Sequence, residues 1–553
     1  MKVVIIGGVA AGASAAARLR RLDEAAEIVI LEKGEYVSFA NCGLPYHISG
    51  AIDKRRDLLV ATPAHLRETF NIDVRTGHEA MSIDRAKRSV GVREAGGRQY
   101  GESYDRLILC QGAEAVRPAV PGADHPGILS MRSMDDMDAV KAAVDSGART
   151  AVIIGANYIG LEVAESLRQR EMTVDLIEIQ NQIMPALDPE MATDLKRHLE
   201  EKGVRLHLGG AAESFRDVNG RVEVSLTGGG VIDTDMVVLA MGVRPASALA
   251  RAAGLELGML GAVKVDAHMR TSDPDIYAAG DMVEVTDTVT GLEANIPLAG
   301  PANRQGRIAA DNICGRDSAY DSTQGTAIVK VFDMTAAITG ASERTLARLG
   351  TPYHKFHLYP FSHASYYPGA VNLLVKVLFA PGDGRLLGAQ AVGFDGVDKR
   401  IDLFAAAVRT GMSVRDLEQL ELAYAPPYSS AKDPVNMAGF VGANMLDGIV
   451  RMWYSEEFPE RTAAGTVLDV RTAYEFRNGA IPGAVHIPLN ELRRRLPDLA
   501  GVRGRPLFVY CLSGVRSYIA CRMLEQSGFS GVFNLSGGIK TFSCVHPEVP
   551  LAR

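Results

Sequence analysis

Paired cysteines are missing from this sequence. Its 553 residues contain six cysteines, Cys42, Cys110, Cys314, Cys511, Cys521 and Cys544, with no CxxC or CxxxxC arrangement among them. Their wide spacing excludes a disulfide framework, a zinc-ribbon site and a local dithiol centre. Long apolar runs are missing too. No stretch is long enough to span a bilayer, and Met1 to Gly7 is too short for a signal peptide and leads straight into a glycine loop. A reducing cytoplasm is the expected compartment. An excess of positive charge is missing: at a formal net charge of -7 the chain has no general attraction for nucleic acid, so any phosphate must meet a locally built site. The 12 histidines are scattered. His354 and His357 stand close together in a strand-like run with no carboxylate cluster beside them in sequence, which favours packing over a metal. No metal site, nucleic-acid partner or membrane partner is expected.

The composition, 47% hydrophobic and 23% charged, is that of an ordinary globular protein, and the length predicts about three or four domains. Lys2 to Ile6 reads as a short strand. Gly7-Gly8-Val9-Ala10-Ala11-Gly12 follows, then a small-residue helix, then a second strand ending at Glu32. This is a βαβ dinucleotide unit. Glycines allow a tight turn and close helix packing, the helix N-terminus faces a pyrophosphate, and the acid takes ribose hydroxyls. Val9 replaces the expected middle glycine.

The unit recurs. Thr150 to Ile154 is a strand, Gly155-Ala156-Asn157-Tyr158-Ile159-Gly160 the loop, Leu161 to Gln169 a helix, and Val174 to Glu178 the second strand. Asn157 now replaces the middle glycine. Glu178 stands where a ribose 2′-hydroxyl would lie, followed by no arginine, so NADH is favoured over NADPH. Two nucleotide units imply two nucleotides, most economically a flavin and a nicotinamide.

Between the units lies Ser38-Phe39-Ala40-Asn41-Cys42-Gly43-Leu44-Pro45-Tyr46, with one cysteine. A lone thiol beside a nucleotide unit suits a mixed disulfide or an oxidised sulfur; a buried structural cysteine is the alternative. Two more segments matter: Tyr104 to Ala113, which leads into a proline-rich link, and Asp275-Ile276-Tyr277-Ala278-Ala279-Gly280-Asp281. Together these motifs resemble the flavoprotein pyridine nucleotide-disulfide reductases, over about residues 1 to 445. Ser38 to Pro45 resembles the single-cysteine branch that includes the coenzyme A disulfide reductases.

The resemblance implies FAD on Gly7, Gly8, Ala11, Gly12, Glu32, Lys33, Gly112, Asp281 and Ala299, and NADH on Gly155, Tyr158, Ile159, Gly160 and Glu178. It implies coenzyme A, as cofactor or substrate, on Ser14, Arg18, Arg21, Ser38, Asn41, Asn303 and Lys432. Ser14, Arg18 and Arg21 share one helix face; by themselves they also fit a solvated surface. Ala10 stands where similar NADH peroxidases carry a histidine, which counts against peroxide as substrate. Residues from 323 to 446 look like the family's dimerisation domain. There Tyr366 and Tyr424 are the expected catalytic tyrosines of a homodimer, reaching the partner's site, with Tyr367 and Tyr428 as close alternatives. Their hydroxyls can donate to a leaving thiolate.

Residues 447 to 463 read as a linker, able to reach on the order of 50 Å if extended. A different fold is expected from 464 to 553. Pro506 to Tyr510 is a strand delivering Cys511, and Ser517 onward looks helical. A thiol between a strand end and a helix N-terminus receives backbone N–H groups and a dipole that stabilise a thiolate or persulfide, and Arg516 adds a positive charge. The loop Cys511 to Arg516 resembles a rhodanese, being one residue shorter than the phosphatase loops of that fold.

The expected fold class is α/β: two Rossmann-like dinucleotide-binding domains (1–113 with 246–322 for FAD, 114–245 for NAD(H)), an α+β dimerisation domain and a C-terminal rhodanese domain. The chain order resembles coenzyme A disulfide reductase–rhodanese fusions, including NADH-dependent persulfide reductases. The implied activity is reduction of persulfide, polysulfide or disulfide S–S bonds at Cys42, with Cys511 handling sulfane sulfur and passing it on through the tether. Two other functions fit parts of the pattern: an NADH oxidase or peroxidase cycling Cys42 through sulfenic acid, and a sulfur-trafficking or redox-sensing protein.

Overall fold

The computed structural model describes residues 1–551. They divide into two compact units: Met1–Ile183 with Glu200–Gly325, and Met184–Leu199 with the chain from Thr326 onward.

The first unit is built twice on one plan. Five parallel strands lie in the order Ile276–Ala278, Arg106–Leu109, Lys2–Ile6, Glu27–Glu32, Asp73–Thr76. Alternate residues of a strand face opposite sides. Val3, Ile5, Ile28 and Ile30 therefore pack on one apolar cluster with Ala15 and Leu19 of the helix Ala10–Leu22, while Val4, Ile6, Val29 and Leu31 pack on another. A sheet covered on both faces explains why these strands read as unbroken apolar runs. The second sheet has the order Val204–Leu208, Thr173–Glu178, Thr150–Ile154, Met236–Leu239, Ile128–Ser130, again all parallel. Each sheet is accompanied by a three-stranded antiparallel sheet.

The second unit holds an antiparallel sheet in the order Ala327–Val331, Met334–Gly340, Leu386–Gly393, Leu373–Phe379, His354–Leu358. Helix Val397–Thr410 packs on it. It also holds a parallel sheet in the order Met452–Trp453, Val532–Leu535, Leu507–Tyr510, Thr466–Asp469, Val485–His486. No helix among the described residues is long and apolar enough to cross a membrane.

Two expectations need correction here. The stretch 447–463 is not a free linker. Met452–Trp453 is an edge strand of the C-terminal sheet, Trp453 is fully buried, and its indole N–H donates to the Val509 carbonyl at 3.3 Å. Only two residues are in strand and charged neighbours follow, so the segment looks unstructured in sequence. It is also held laterally. The Tyr454 hydroxyl donates to the Lys355 carbonyl at 2.9 Å, and the Lys355 ammonium pairs with Glu456. The tether argument for sulfur transfer falls with the linker.

Second, His357 does face carboxylates, supplied by chain far away in sequence. His357, Lys376 and Gln390 are cross-strand neighbours, and all three are buried. Asp188, Glu190 and Glu343 converge on this row. The Lys376 ammonium sits 2.9 Å from Asp188 and 2.6 Å from Glu343, and also pairs with Glu190. His357 Nε2 lies 3.0 Å from Glu190, while its backbone N–H and Nδ1 both meet Ser536 Oγ at 2.9 Å. A lysine ammonium occupies the position where three carboxylates could otherwise gather a cation. Burial alone would raise the Glu190 pKa; Lys376 and His357 outweigh it and hold the carboxyl well below its usual range.

Removing one partner of a buried ion cluster leaves uncompensated charge in low dielectric. Lys376→Met is expected to destabilise the protein by about 3–5 kcal/mol. Loss of the exposed Arg415–Asp447 pair should cost far less, because solvent screens it. Denaturant unfolding of both variants checks the contrast.

Candidate active site

Both glycine loops are shaped by the same contacts. Gly7 and Gly155 are left-handed, at φ +98° and +107°, and a Cβ on either would fall within 2.3 Å of a carbonyl oxygen of the neighbouring strand end, Cys110 or Ala240. At the far end of each loop, a Cβ on Gly12 would lie 1.8 Å from the Gly7 carbonyl oxygen, and one on Gly160 1.9 Å from that of Gly155. The acids repeat as well. Glu32 accepts the N–H groups of Gly8 and Gly34, each at 2.9 Å. Glu178 accepts those of Ala156 at 2.9 Å and Gln180 at 3.0 Å. Each carboxylate keeps lone pairs for ribose hydroxyls. Asn157 stands in for the middle glycine by tying the loop down: its amide donates to the Ala240 carbonyl at 2.7 Å. These cradles fit dinucleotides. Near the first, the buried Gln111 Oε1 has no protein partner, and left-handed Gly112 follows it. Tyr158 and Ile159 open the second helix, partly buried, and loss of hydration pushes the Tyr158 hydroxyl up to about 12. Lys33 is exposed and pairs with Glu79, and Ala299 starts the helix Ala299–Ile313.

Cys42 lies in the turn Asn41–Gly43 and is exposed. Helix Leu44–Ser49 follows at once, with proline in its first turn, where no N–H partner is needed. Ser38 is left-handed and donates its N–H to the Gly8 carbonyl at 2.8 Å, so the cysteine segment is anchored to the first glycine loop. Dense surroundings on the inner side raise the Cys42 thiol pKa. Lost hydration acts first, then the Glu162 and Asp281 carboxylates, against the pull of Arg132. Arg132 itself pairs with Asp281 at 2.9 Å. Tyr46, one helical turn after Cys42, donates its hydroxyl to Glu162 at 3.1 Å. Desolvation raises Glu162 to about 7, with Glu165 adding to the effect. A protonated Glu162 removes a negative charge from beside the thiol, which favours the thiolate.

The helix face Ser14, Arg18, Arg21 is less open than its spacing suggests. Ser14 bonds to Asn303, whose amide also donates to the Ala299 carbonyl at 2.8 Å. Arg18 pairs with Asp311 at 2.6 Å. Arg21 remains exposed at the helix end. In the second unit Tyr366 and Tyr424 come together, hydroxyl to hydroxyl at 2.7 Å, and both are exposed. Tyr367 and Tyr428 are exposed without that contact, which favours the first pair. Lys432 is exposed nearby in sequence.

Cys511 directly follows the strand Leu507–Tyr510 and is nearly fully buried. Gly514, left-handed at φ +101°, donates its N–H to the sulfur at 3.2 Å, and the Ser517 hydroxyl lies 3.3 Å away. Helix Val515–Gln526 starts two residues earlier than expected. The loop rests on Gly538, where a Cβ would strike the Leu512 backbone at 2.6 Å. Arg516 is not the free charge its position suggests. It forms a two-pronged pair with Glu475, at 2.6 and 2.7 Å, which holds that carboxyl at about 2.

Sequence reasoning missed Glu162, Arg132, Glu475 and Ser517. Glu475 carried a readable signal, since Thr472 and Glu475 form a capping box. Glu162 looked like an ordinary polar position on an amphipathic helix.

Doubled dinucleotide cradles, a lone accessible thiol beside the first, and a second thiol under a helix N-terminus define a nucleotide-linked thiol oxidoreductase joined to a sulfur-handling module. Family models agree with this class. Residues 1–306 match the pyridine nucleotide-disulphide oxidoreductases, 326–434 their dimerisation domain, and 454–543 the rhodanese-like domain. The chain belongs to the pyridine nucleotide-disulphide oxidoreductase family and carries a C-terminal rhodanese-like domain. A coenzyme A disulfide reductase of Staphylococcus haemolyticus is 36% identical over 442 residues, which are 79% of this chain and 98% of the relative. Among solved structures, reduced CoADR-RHD of Bacillus anthracis is 44% identical with a TM-score of 0.97, covering 100% of this chain and 99% of that one. A NAD-dependent persulfide reductase from A. fulgidus is 38% identical with a TM-score of 0.92, covering 98% of this chain and 100% of that one.

The raised Glu162 pKa has a stability consequence. The folded protein binds a proton there up to about pH 7, the unfolded chain only to about 4.5. Between these values the folded state holds more protons, so this group's contribution to stability falls as pH rises. Glu162→Gln should therefore gain on wild type by about 1–3 kcal/mol between pH 4.5 and 8. Unfolding curves across that range test the sign.

Proposed function

We propose that this protein is an NADH-dependent flavoenzyme that reduces the S–S bonds of coenzyme A disulfide, coenzyme A persulfide or polysulfide at Cys42, and handles sulfane sulfur at Cys511. The observation that carries this is the exposed, unpaired Cys42 anchored to the first of two matching dinucleotide cradles. FAD is assigned to residues 1–113 and 246–322, with Gly7, Gly8, Ala11, Gly12, Glu32, Lys33, Gly112, Asp281 and Ala299 as its contacts. NADH is assigned to 114–245, with Gly155, Tyr158, Ile159, Gly160 and Glu178. Bound together, the two cofactors would supply the two electrons that an S–S bond needs.

The protein's own residues do the rest. The Cys42 thiolate attacks one sulfur of the substrate, forms a mixed disulfide and expels the other sulfur as a thiolate or sulfide. The mixed disulfide is the species the two electrons cleave, restoring the thiolate and freeing the second sulfur. Tyr366 and Tyr424, supplied across a homodimer by the dimerisation domain, donate hydroxyls to the departing sulfur. Coenzyme A is assigned to Ser14, Arg21, Ser38, Asn41 and Asn303, where a phosphate reaching Arg18 must share it with Asp311; the assignment of Lys432 to the same ligand rests on the family resemblance alone. The rhodanese-like domain extends back to about residue 452, since its edge strand lies there. A cytoplasmic setting suits thiols that must stay reduced.

Cys42→Ser is expected to abolish NADH-dependent reduction of coenzyme A disulfide and persulfide while the flavin absorbance remains. Substantial residual turnover would refute the single-thiol mechanism, and oxygen or peroxide consumption outpacing S–S reduction would make the protein an oxidase. In wild type, kcat/KM for NADH should exceed that for NADPH by about tenfold or more, because Glu178 repels a 2′-phosphate. Equal use of both would displace Glu178 from the ribose site.

A further inference from the structure

The surroundings of Cys511 bear on which sulfur donors it can use, a question that rests on the sulfane-handling role given to it above. Arg516 is the cation expected to attract an anionic donor, and its guanidinium does reach toward Cys511. Both its outer nitrogens are engaged by Glu475, whose carboxylate is fixed in turn by the backbone N–H and hydroxyl of Thr472 at 3.0 and 2.8 Å. The next basic side chains are also committed or distant in role. Arg471 is buried in a fork with Asp469, and the Lys540 ammonium lies over the Tyr359 ring. With Cys511 as thiolate, the carboxylate and the sulfur outnumber the one guanidinium joined to them, so this bonded cluster carries a negative excess. The Gly514 N–H and the Ser517 hydroxyl are directed at the sulfur itself and are not left over for a second anion.

Several exposed side chains on the loop and its flanking helices are apolar. Leu512 follows the cysteine, Val515 and Ile519 stand one turn apart on the helix that the loop starts, and Tyr474 precedes Glu475. Exposed apolar side chains on the loop and on the helices joined by the Arg516–Glu475 pair offer a surface for an apolar ligand body.

We propose that the Cys511 site takes sulfane sulfur from organic donors, persulfides and thiosulfonates with an apolar body and at most one charge, and discriminates against compact inorganic dianions, with Glu475, Leu512 and Val515 setting that preference. In the transfer, the Cys511 thiolate attacks the terminal sulfur of the donor. A Cys511 S–S bond forms, the bond between the donor's two sulfurs breaks, and its electron pair leaves with the donor body as a thiolate or sulfinate. Charge is conserved, and no external oxidant or reductant takes part. The selectivity is negative: an added dianion meets unpaired like charge, which costs more than a missing contact.

The test uses full-length Cys42→Ser protein, so that sulfur on Cys511 is not consumed. Persulfidation of Cys511 is followed by peptide mass mapping with benzenethiosulfonate and with thiosulfate. Both donors pass on one sulfur, from a sulfonyl centre, but differ in charge and body. Each rate is divided by that of N-acetylcysteine with the same donor, which removes intrinsic reactivity. The expected normalised ratio favours benzenethiosulfonate by about tenfold or more, and Val515→Lys and Glu475→Gln should each lower it by about threefold or more. Val515→Lys alters only an exposed helix position, so it remains informative should Glu475→Gln disturb the loop. A wild-type ratio near or below one, or a ratio that Val515→Lys leaves unchanged, overturns the proposal. Loading by neither donor would instead remove the sulfane-accepting role of Cys511 itself.

Discussion

Glu32 and Glu178 each close a parallel strand by accepting two backbone N–H groups, and both glycine loops keep their shape through that contact. Charge-assisted bonds of this kind are short and strong. Here they act where a loop with little side-chain mass must hold a precise curve. The cysteine segment then inherits its position from the first loop through Ser38 and Gly8. The same device recurs at the other thiol, where Glu475 is held by Thr472 and in turn holds Arg516. In these places carboxylates orient backbone and cations.

Much of this was legible in sequence because it is local. Glycine loops, their flanking strands, the acids ending them, the Cys511 loop and the capping box all lie within short windows, where spacing translates into geometry. The Lys376 cluster is different. Its acids come from Asp188, Glu190 and Glu343, and no window contains both them and the lysine. A lysine in an apolar strand reads as an edge or surface position until a distant helix is seen to deliver charge to it. Arg516 was likewise read alone and Glu475 was not singled out; only their contact shows that the charge is compensated. Met452–Trp453 was misread because two residues are too few to show a period.

The second unit ties its two sheets together with polar contacts. Ser536, beyond the last strand of the C-terminal sheet, meets both the backbone and the ring of His357. Tyr359 and Thr541 share a hydrogen bond at 3.1 Å, and Glu456 extends the lysine–carboxylate network. The rhodanese-like domain is thus seated on the sheet Ala327–Gly393 by side-chain contacts as well as by the chain that joins them.

Trp453 is the sole tryptophan in 553 residues, and it sits sealed in the C-terminal core against Phe508, with its indole bonded to a central strand. Its near-ultraviolet emission therefore belongs to one domain. The protein carries two intrinsic chromophores in separate places: an indole reporting whether the rhodanese-like fold is intact, and, once loaded, an isoalloxazine reporting the redox state of the rest. Unfolding of the sulfur module can be read by eye-independent optics in the native chain, without labels or truncation.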